Sequence, residues 1–157
     1  MEFRHTSVMP EETLAALAVK PAGTYVDCTL GGAGHARRIA DRLSPEGRLI
    51  GLDQDEAAIR AAKERLAGVS CRVDVVRSNF RALASVLQSL GVTSVDGVLF
   101  DLGVSSHQID TAERGFSYMQ DAPLDMRMDT SRLLSAHEVV NEYDEAELWR
   151  IFRDYGE

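Results

Sequence analysis

Along residues 10–103 the hydrophobic and polar positions change period in a regular way, from helical spacing to short apolar runs and back. PEETLAALAV (10–19) repeats its apolar residues at three and four, which predicts a helix with Pro10 at its first position. TYVDCT (24–29) predicts a strand, and GHARRIADRL (34–43) a helix. RLIGLD (48–53) predicts a strand closed by an acid. DEAAIRAAKERLAG (55–68) reads as an amphipathic helix with Asp55 as N-cap and Gly68 past its end. CRVDVVR (71–77) predicts a strand, FRALASVLQSLG (80–91) a helix, and VDGVLFDLG (95–103) a nearly unbroken apolar strand. Strands and helices alternating at this interval make βαβ units and a parallel sheet, so the expected class is α/β with four strands ordered 3-2-1-4. The apolar run at 95–103 predicts burial on both faces.

After Gly103 the periodicity fails. Residues 104–134 predict a long ordered loop without a repeating element, a feature that in a compact domain is usually functional. Two helices are expected beyond it. One opens at Ser135 with Glu138 three residues on, and the other at Asp144 with Glu147 three residues on, closed by Gly156. The organisation read from this change of pattern is a core over 1–103 followed by a loop and helical segment over 104–157. Four strands in this order are half of a doubly wound sheet, which leaves the fourth strand as an edge. A further half, a homodimer partner or the acidic helices would have to cover it.

Composition narrows the class only a little. An apolar fraction of 45% with 27% charged residues suits a globular protein, and no apolar run reaches membrane-span length. The N-terminus lacks the basic start and apolar core of a secretory signal, so a cytoplasmic chain is expected. Charge is informative in its distribution. Residues 1–100 carry 12 acids against 12 Lys and Arg, whereas 101–157 carry 13 against 5, so the net charge of -8 belongs to the second segment. That segment offers no basic face for phosphates by itself. Cys28 and Cys71 lack any paired spacing and read as small buried hydrophobes. The four histidines share no metal-ligand spacing, and no metal is expected.

The glycine turn VDCTLGGAGHARRI (26–39) suggests a nucleotide-like ligand, and its details restrict which one. A dinucleotide fingerprint needs glycine or a small residue at fixed positions. Counted from Gly32 the third position is Arg37, and counted from Gly31 the second is Ala33, so both frames fail. No Gly-Lys-Ser/Thr follows, which excludes a Walker loop. S-adenosylmethionine has no phosphate and needs a close turn plus an acid after the second strand for its ribose hydroxyls. Asp53 stands there, 19 residues after Gly34, and Asp55 supplies the helix cap that Asp53 would otherwise provide. Asn79 and Phe80, after the third strand, fall where an adenine would lie, Asn79 alternatively as a helix cap. Asp101 closes the fourth strand where reacting groups sit, and a carboxylate at that position is costly to desolvate without a use.

Taken together, HTSVMPEE (5–12), DCTLGGAGHA (27–36), GLDQD (51–55), FDLGVSS (100–106), IFRDYGE (151–157) and above all AERGFSYMQDAPLDMRMD (112–129) closely resemble the RsmH (MraW) family of 16S rRNA (cytosine-N4-)-methyltransferases. The resemblance implies a Rossmann-like class I methyltransferase sheet, S-adenosylmethionine as cofactor, and methyl transfer to the exocyclic N4 of a cytidine in 16S rRNA of the small ribosomal subunit. It carries cofactor contacts to Ala33, Gly34, His35, Asp53, Phe80, Asp101 and Gln108. It also implies a chain about twice this length, whose sheet is completed after an inserted helical domain that begins within 104–157.

Chemically, a transfer to an aromatic amine needs an acceptor to localise the nitrogen lone pair, and Asp101 is the expected catalytic group. Arg114, Phe116 and Tyr118 are candidates to hold the RNA by phosphate pairing and stacking, or to form an aromatic cluster within their own loop. Asp125, Arg127 and Asp129 are expected to pair with one another and fix that loop. Two other functions remain open from sequence: a non-catalytic fragment that binds the cofactor, and an NAD-dependent oxidoreductase, which the failed fingerprint disfavours.

Overall fold

The computed structural model describes residues 7–156, so the first two residues of the HTSVMPEE block, with His5, lie outside the described residues. The chain divides into two compact units after Gly103.

In the first unit four parallel strands, β1 (Thr24–Asp27), β2 (Arg48–Asp53), β3 (Arg72–Arg77) and β4 (Gly97–Leu99), form one sheet in the order β3-β2-β1-β4. One face packs on α1 (Pro10–Leu17), α2 (Gly34–Ala40) and α3 (Glu56–Arg65) through Leu14, Tyr25, Ile39, Leu49 and Ile59. The other face packs Val26, Ile50 and Leu52 on α4 (Leu83–Ser89) through Val86. The alternation of neighbouring strand residues between these clusters is the period-two pattern of a sheet covered on both faces. Asp55 caps α3 as its position predicts, accepting the Ala57 N–H at 2.9 Å. Gly68 takes a left-handed φ of 77° past the helix end, where a Cβ would be strained.

Two strands are shorter than their apolar runs. β4 spans three residues where nine were expected. At its start Asp96 turns its carboxylate onto the Thr24 N–H and the Lys20 ammonium, each at 2.9 Å, which ends the ladder. At its far end the backbone pairing stops with Cys28 N–H on Leu99 C=O, and the Asp101 N–H goes instead to the Thr29 hydroxyl at 2.7 Å. β4 is also not buried on both faces: as an edge strand it leaves Val98 36% exposed. β1 likewise ends at Asp27, because that side chain accepts the Thr29 N–H and bends the chain. The helix expected from residue 80 starts as one 3₁₀ turn (Phe80–Ala82) before α4. Both cysteines are buried, and burial raises both thiols, Cys28 to about 11.

The second unit is less loop-like than its sequence suggests. It contains α5 (Ser106–Asp110), a 3₁₀ turn (Ala112–Arg114), α6 (Ala136–Glu142) and α7 (Glu145–Tyr155). α5 is absent from the periodicity because five residues hold little more than one helical turn. Its start is nonetheless written in Ser105-x-x-Gln108, which closes as a reciprocal capping box. Ser135 and Glu138 make the expected box at α6, and Asp144 caps α7 by accepting the Glu147 N–H at 2.8 Å.

Candidate active site

The carboxyl ends of the strands gather the predicted residues of the first unit. The turn after β1 holds Gly31 at φ 48° and Ala33 at φ 59°. A left-handed alanine is strained by about 1 kcal/mol, and Ala33 is held there with no exposed surface. Its C=O accepts the Arg37 N–H at 3.0 Å and so begins α2. A Cβ at Gly34 would meet the Ser7 hydroxyl, which would have to turn away to make room. Arg65 of α3 ties the outside of the turn, donating to Gly32 C=O at 3.2 Å.

Asp53 joins this turn to β2. One carboxylate oxygen accepts the Gly31 N–H at 2.8 Å and the other the Asp55 N–H at 2.9 Å. The sequence argument that Asp55 frees Asp53 is therefore half right: Asp55 is the cap, but Asp53 also shapes the loop. The Gln54 N–H also lies against this carboxylate, as a third backbone donor. Burial raises the Asp53 carboxyl above its ordinary range, opposed by these N–H donors.

Asp101 stands across the turn. Its Oδ2 lies 3.6 Å from Nε2 of His35, a buried side chain on the first turn of α2. Its N–H rests on the Thr29 hydroxyl, which in turn donates to Asp27 Oδ1 at 3.4 Å. Asp27 is the residue that sequence reasoning placed in the turn without a role. It is 1% exposed, and burial pushes its carboxyl up to about 7, with the nearby Asp53 and Asp101 charges adding to the shift against the Thr29 bonds. The available signal was its place as an acid ending a buried strand, the same argument that singles out Asp101. Three carboxyl groups thus converge on a glycine turn that carries no phosphate-binding side chain. Arg37, which breaks the dinucleotide frame, is tied to Asp41 at 2.9 Å and to Arg65 C=O at 3.0 Å.

Phe80 and Phe100 meet edge to face at the same end of the sheet, with ring centroids 5.6 Å apart and planes at 90°. Asn79 takes the capping alternative: its side-chain oxygen accepts the Arg81 N–H at 3.0 Å, while its amide donates to Gln54 at 2.9 Å.

The remaining predicted residues lie in the second unit. The Gln108 side chain accepts the Ser105 N–H at 3.0 Å in the α5 cap. Arg114 donates to the Arg127 and Met128 carbonyls at 2.8 and 3.1 Å and lies 6.0 Å from the Phe116 ring centroid. Arg114 and Phe116 therefore belong to the loop's own framework, whereas Tyr118 projects outward at 96% exposure. Asp125 and Arg127 make the expected pair, with two near-parallel bonds. Asp129 turns to Ser131 and Arg132 instead. No group of three or more potential metal ligands occurs among the described residues, and no helix among them is long and apolar enough to cross a membrane.

A parallel 3-2-1-4 sheet with acids at the ends of β1, β2 and β4 around a glycine turn defines an α/β fold of the nucleoside-cofactor-binding class. The profile of the MraW methylase family matches residues 2–157, and the chain belongs to that family. Over its whole length it is 59% identical to the ribosomal RNA small subunit methyltransferase H of Symbiobacterium thermophilum, covering 49% of that protein. It is 57% identical to the protein of the same name from Clostridioides difficile, covering 50% of it. The chain thus spans about half the length of the curated relatives it matches. A solved structure from Clostridium thermocellum, described as an rRNA-methylase, shares the fold with a TM-score of 0.56 at 21% identity, over 65% of this chain and 54% of that one.

Proposed function

We propose that this chain carries the cofactor site and reacting end of an S-adenosylmethionine-dependent methyltransferase acting on the exocyclic N4 of a cytidine in 16S rRNA of the small ribosomal subunit. The observation that carries the proposal is the convergence of Asp27, Asp53 and Asp101 on a turn lacking phosphate ligands, an environment suited to a cationic nucleoside. Family membership, and identity over the whole of this chain to proteins named as small-subunit ribosomal RNA methyltransferases, support it. A substrate in ribosomal RNA implies a cytoplasmic setting.

The bound cofactor supplies an electrophilic methyl group on a sulfonium. Asp53 would accept the ribose hydroxyls alongside the bonds it takes from Gly31 and Asp55. Phe80 would cover the adenine, and the turn from Ala33 to His35 would approach the aminoacyl portion. Cytosine N4 is a weak nucleophile because its lone pair is delocalised into the ring. Asp101 would accept a hydrogen bond from the amine, localise that pair, and take up the proton that the nitrogen sheds on methylation. His35 lies against the Asp101 carboxylate, and Thr29 accepts its backbone N–H. Alignment of this kind is worth several kcal/mol of barrier. Tyr118 is positioned by exposure to stack on RNA, with Arg114 and Phe116 supporting the loop that presents it.

The test is thermal shift with S-adenosylmethionine, S-adenosylhomocysteine and NAD, followed by methyl transfer to small ribosomal subunits. Stabilisation by the two adenosyl ligands and labelling of N4 is the expected result. Stabilisation by NAD alone overturns the proposal. Binding without transfer limits these 157 residues to the cofactor half of the function.

A further inference from the structure

Phe100 touches Phe80 at the site but has no role there so far. β3 and β4 are the two outer strands of the sheet, three spacings or roughly 14 Å apart. Phe80 follows β3 and Phe100 follows β4, but their rings touch edge to face. Phe80 opens the 3₁₀ turn that runs directly into α4. Leu99 packs in the cluster under α1 to α3, so the alternation of β4 turns Phe100 to the opposite face, the one α4 covers. Both rings therefore stand at the carboxyl end of the sheet on the α4 side. They remain 39% and 45% exposed, which is unusual for two phenylalanines already in contact.

A T-shaped pair forms a right-angled corner. A flat heterocycle entering it can stack on one ring while meeting the other at its edge, the arrangement aromatic quadrupoles favour. We infer that Phe100 is a positioning residue for the adenine: it fixes the ring plane of Phe80 and closes the corner in which the purine lies. This rests on the adenosyl cofactor proposed above. Phe100 is also the residue directly before Asp101, so a purine seated in the corner and a reacting group at Asp101 share one rigid stretch of backbone. The Asp101 N–H bond to Thr29 anchors that stretch to β1.

The experiment is calorimetric titration of the chain with S-adenosylhomocysteine and with adenosine, for wild type, Phe80→Ala, Phe100→Leu, Phe100→Tyr and the Phe80→Ala/Phe100→Leu double variant. Phe100→Leu keeps apolar bulk without a ring, so its unfolding midpoint should stay near wild type while both ligands bind about ten-fold more weakly. Phe100→Tyr should restore the affinity. The double variant should lose less than the product of the two single losses, because Phe100 acts partly through Phe80. Wild-type affinity in Phe100→Leu, or losses that multiply in the double variant, would overturn the inference while leaving the cofactor intact. Wild-type protein that binds neither ligand would instead remove the adenosyl cofactor itself, and the inference with it.

Discussion

The two units are held together by different physics. In the first, apolar residues from every strand and from α1 to α4 are buried in two clusters on either side of the sheet. In the second, no described apolar residue is fully buried, and order comes from capping boxes, the Asp125–Arg127 pair and the carbonyls gathered by Arg114. The difference teaches where rigidity is available. The acids at the strand ends are fixed by a packed sheet beneath them, while Tyr118 sits on a loop whose shape is set by local polar contacts. A site that must align a cofactor and a reacting group belongs on the former, and a surface that adapts to a large substrate belongs on the latter.

The sharpest way to break this comparison is to remove buried volume from each unit in turn. Ile39→Ala in the first unit should cost about 3 kcal/mol in urea unfolding, as expected for a fully buried isoleucine. Trp149→Ala on α7, where the indole is exposed and lies 4.5 Å below the Arg153 guanidinium, should change stability by less than about 0.5 kcal/mol. Equal costs would contradict the contrast.

A second effect depends on pH and belongs to the first unit. The Asp27 carboxyl is raised from 3.8 to about 7 in the fold, so between those values the folded state holds a proton that the unfolded chain has lost. Stability should therefore fall as pH rises through that window and level off above it, with a slope of up to roughly 1.4 kcal/mol per pH unit from this group. Asp27→Asn should flatten the curve when unfolding is followed across pH 4 to 8. An unchanged slope would mean that Asp27 titrates normally.

The most local effect expected lies in the second unit. Ser135→Ala removes the α6 cap and should cost about 1 kcal/mol, with faster amide exchange confined to the first turn of α6.

Much of this architecture was legible because long periodic segments report burial directly. β2 matches its predicted span, and the caps at Asp55, Ser135 and Asp144 were visible as side-chain types at fixed offsets. The extent of β4 was not, because an apolar run does not reveal that Asp96 will turn onto Thr24 or that Thr29 will capture the Asp101 N–H. Asp53 shows a subtler limit. Its place after β2 was readable, but its bond to Gly31 depends on a turn 22 residues away. The Phe80–Phe100 contact was hidden for the same reason, since strand order alone puts their strands at opposite edges.

The central claim is that Asp53 shapes the glycine turn and also accepts the ribose of an adenosyl cofactor. Calorimetric titration of Asp53→Ala with S-adenosylhomocysteine tests it most directly. Loss of two hydrogen bonds to a charged group predicts affinity weakened by about 100-fold or more. Binding as tight as wild type would contradict the account.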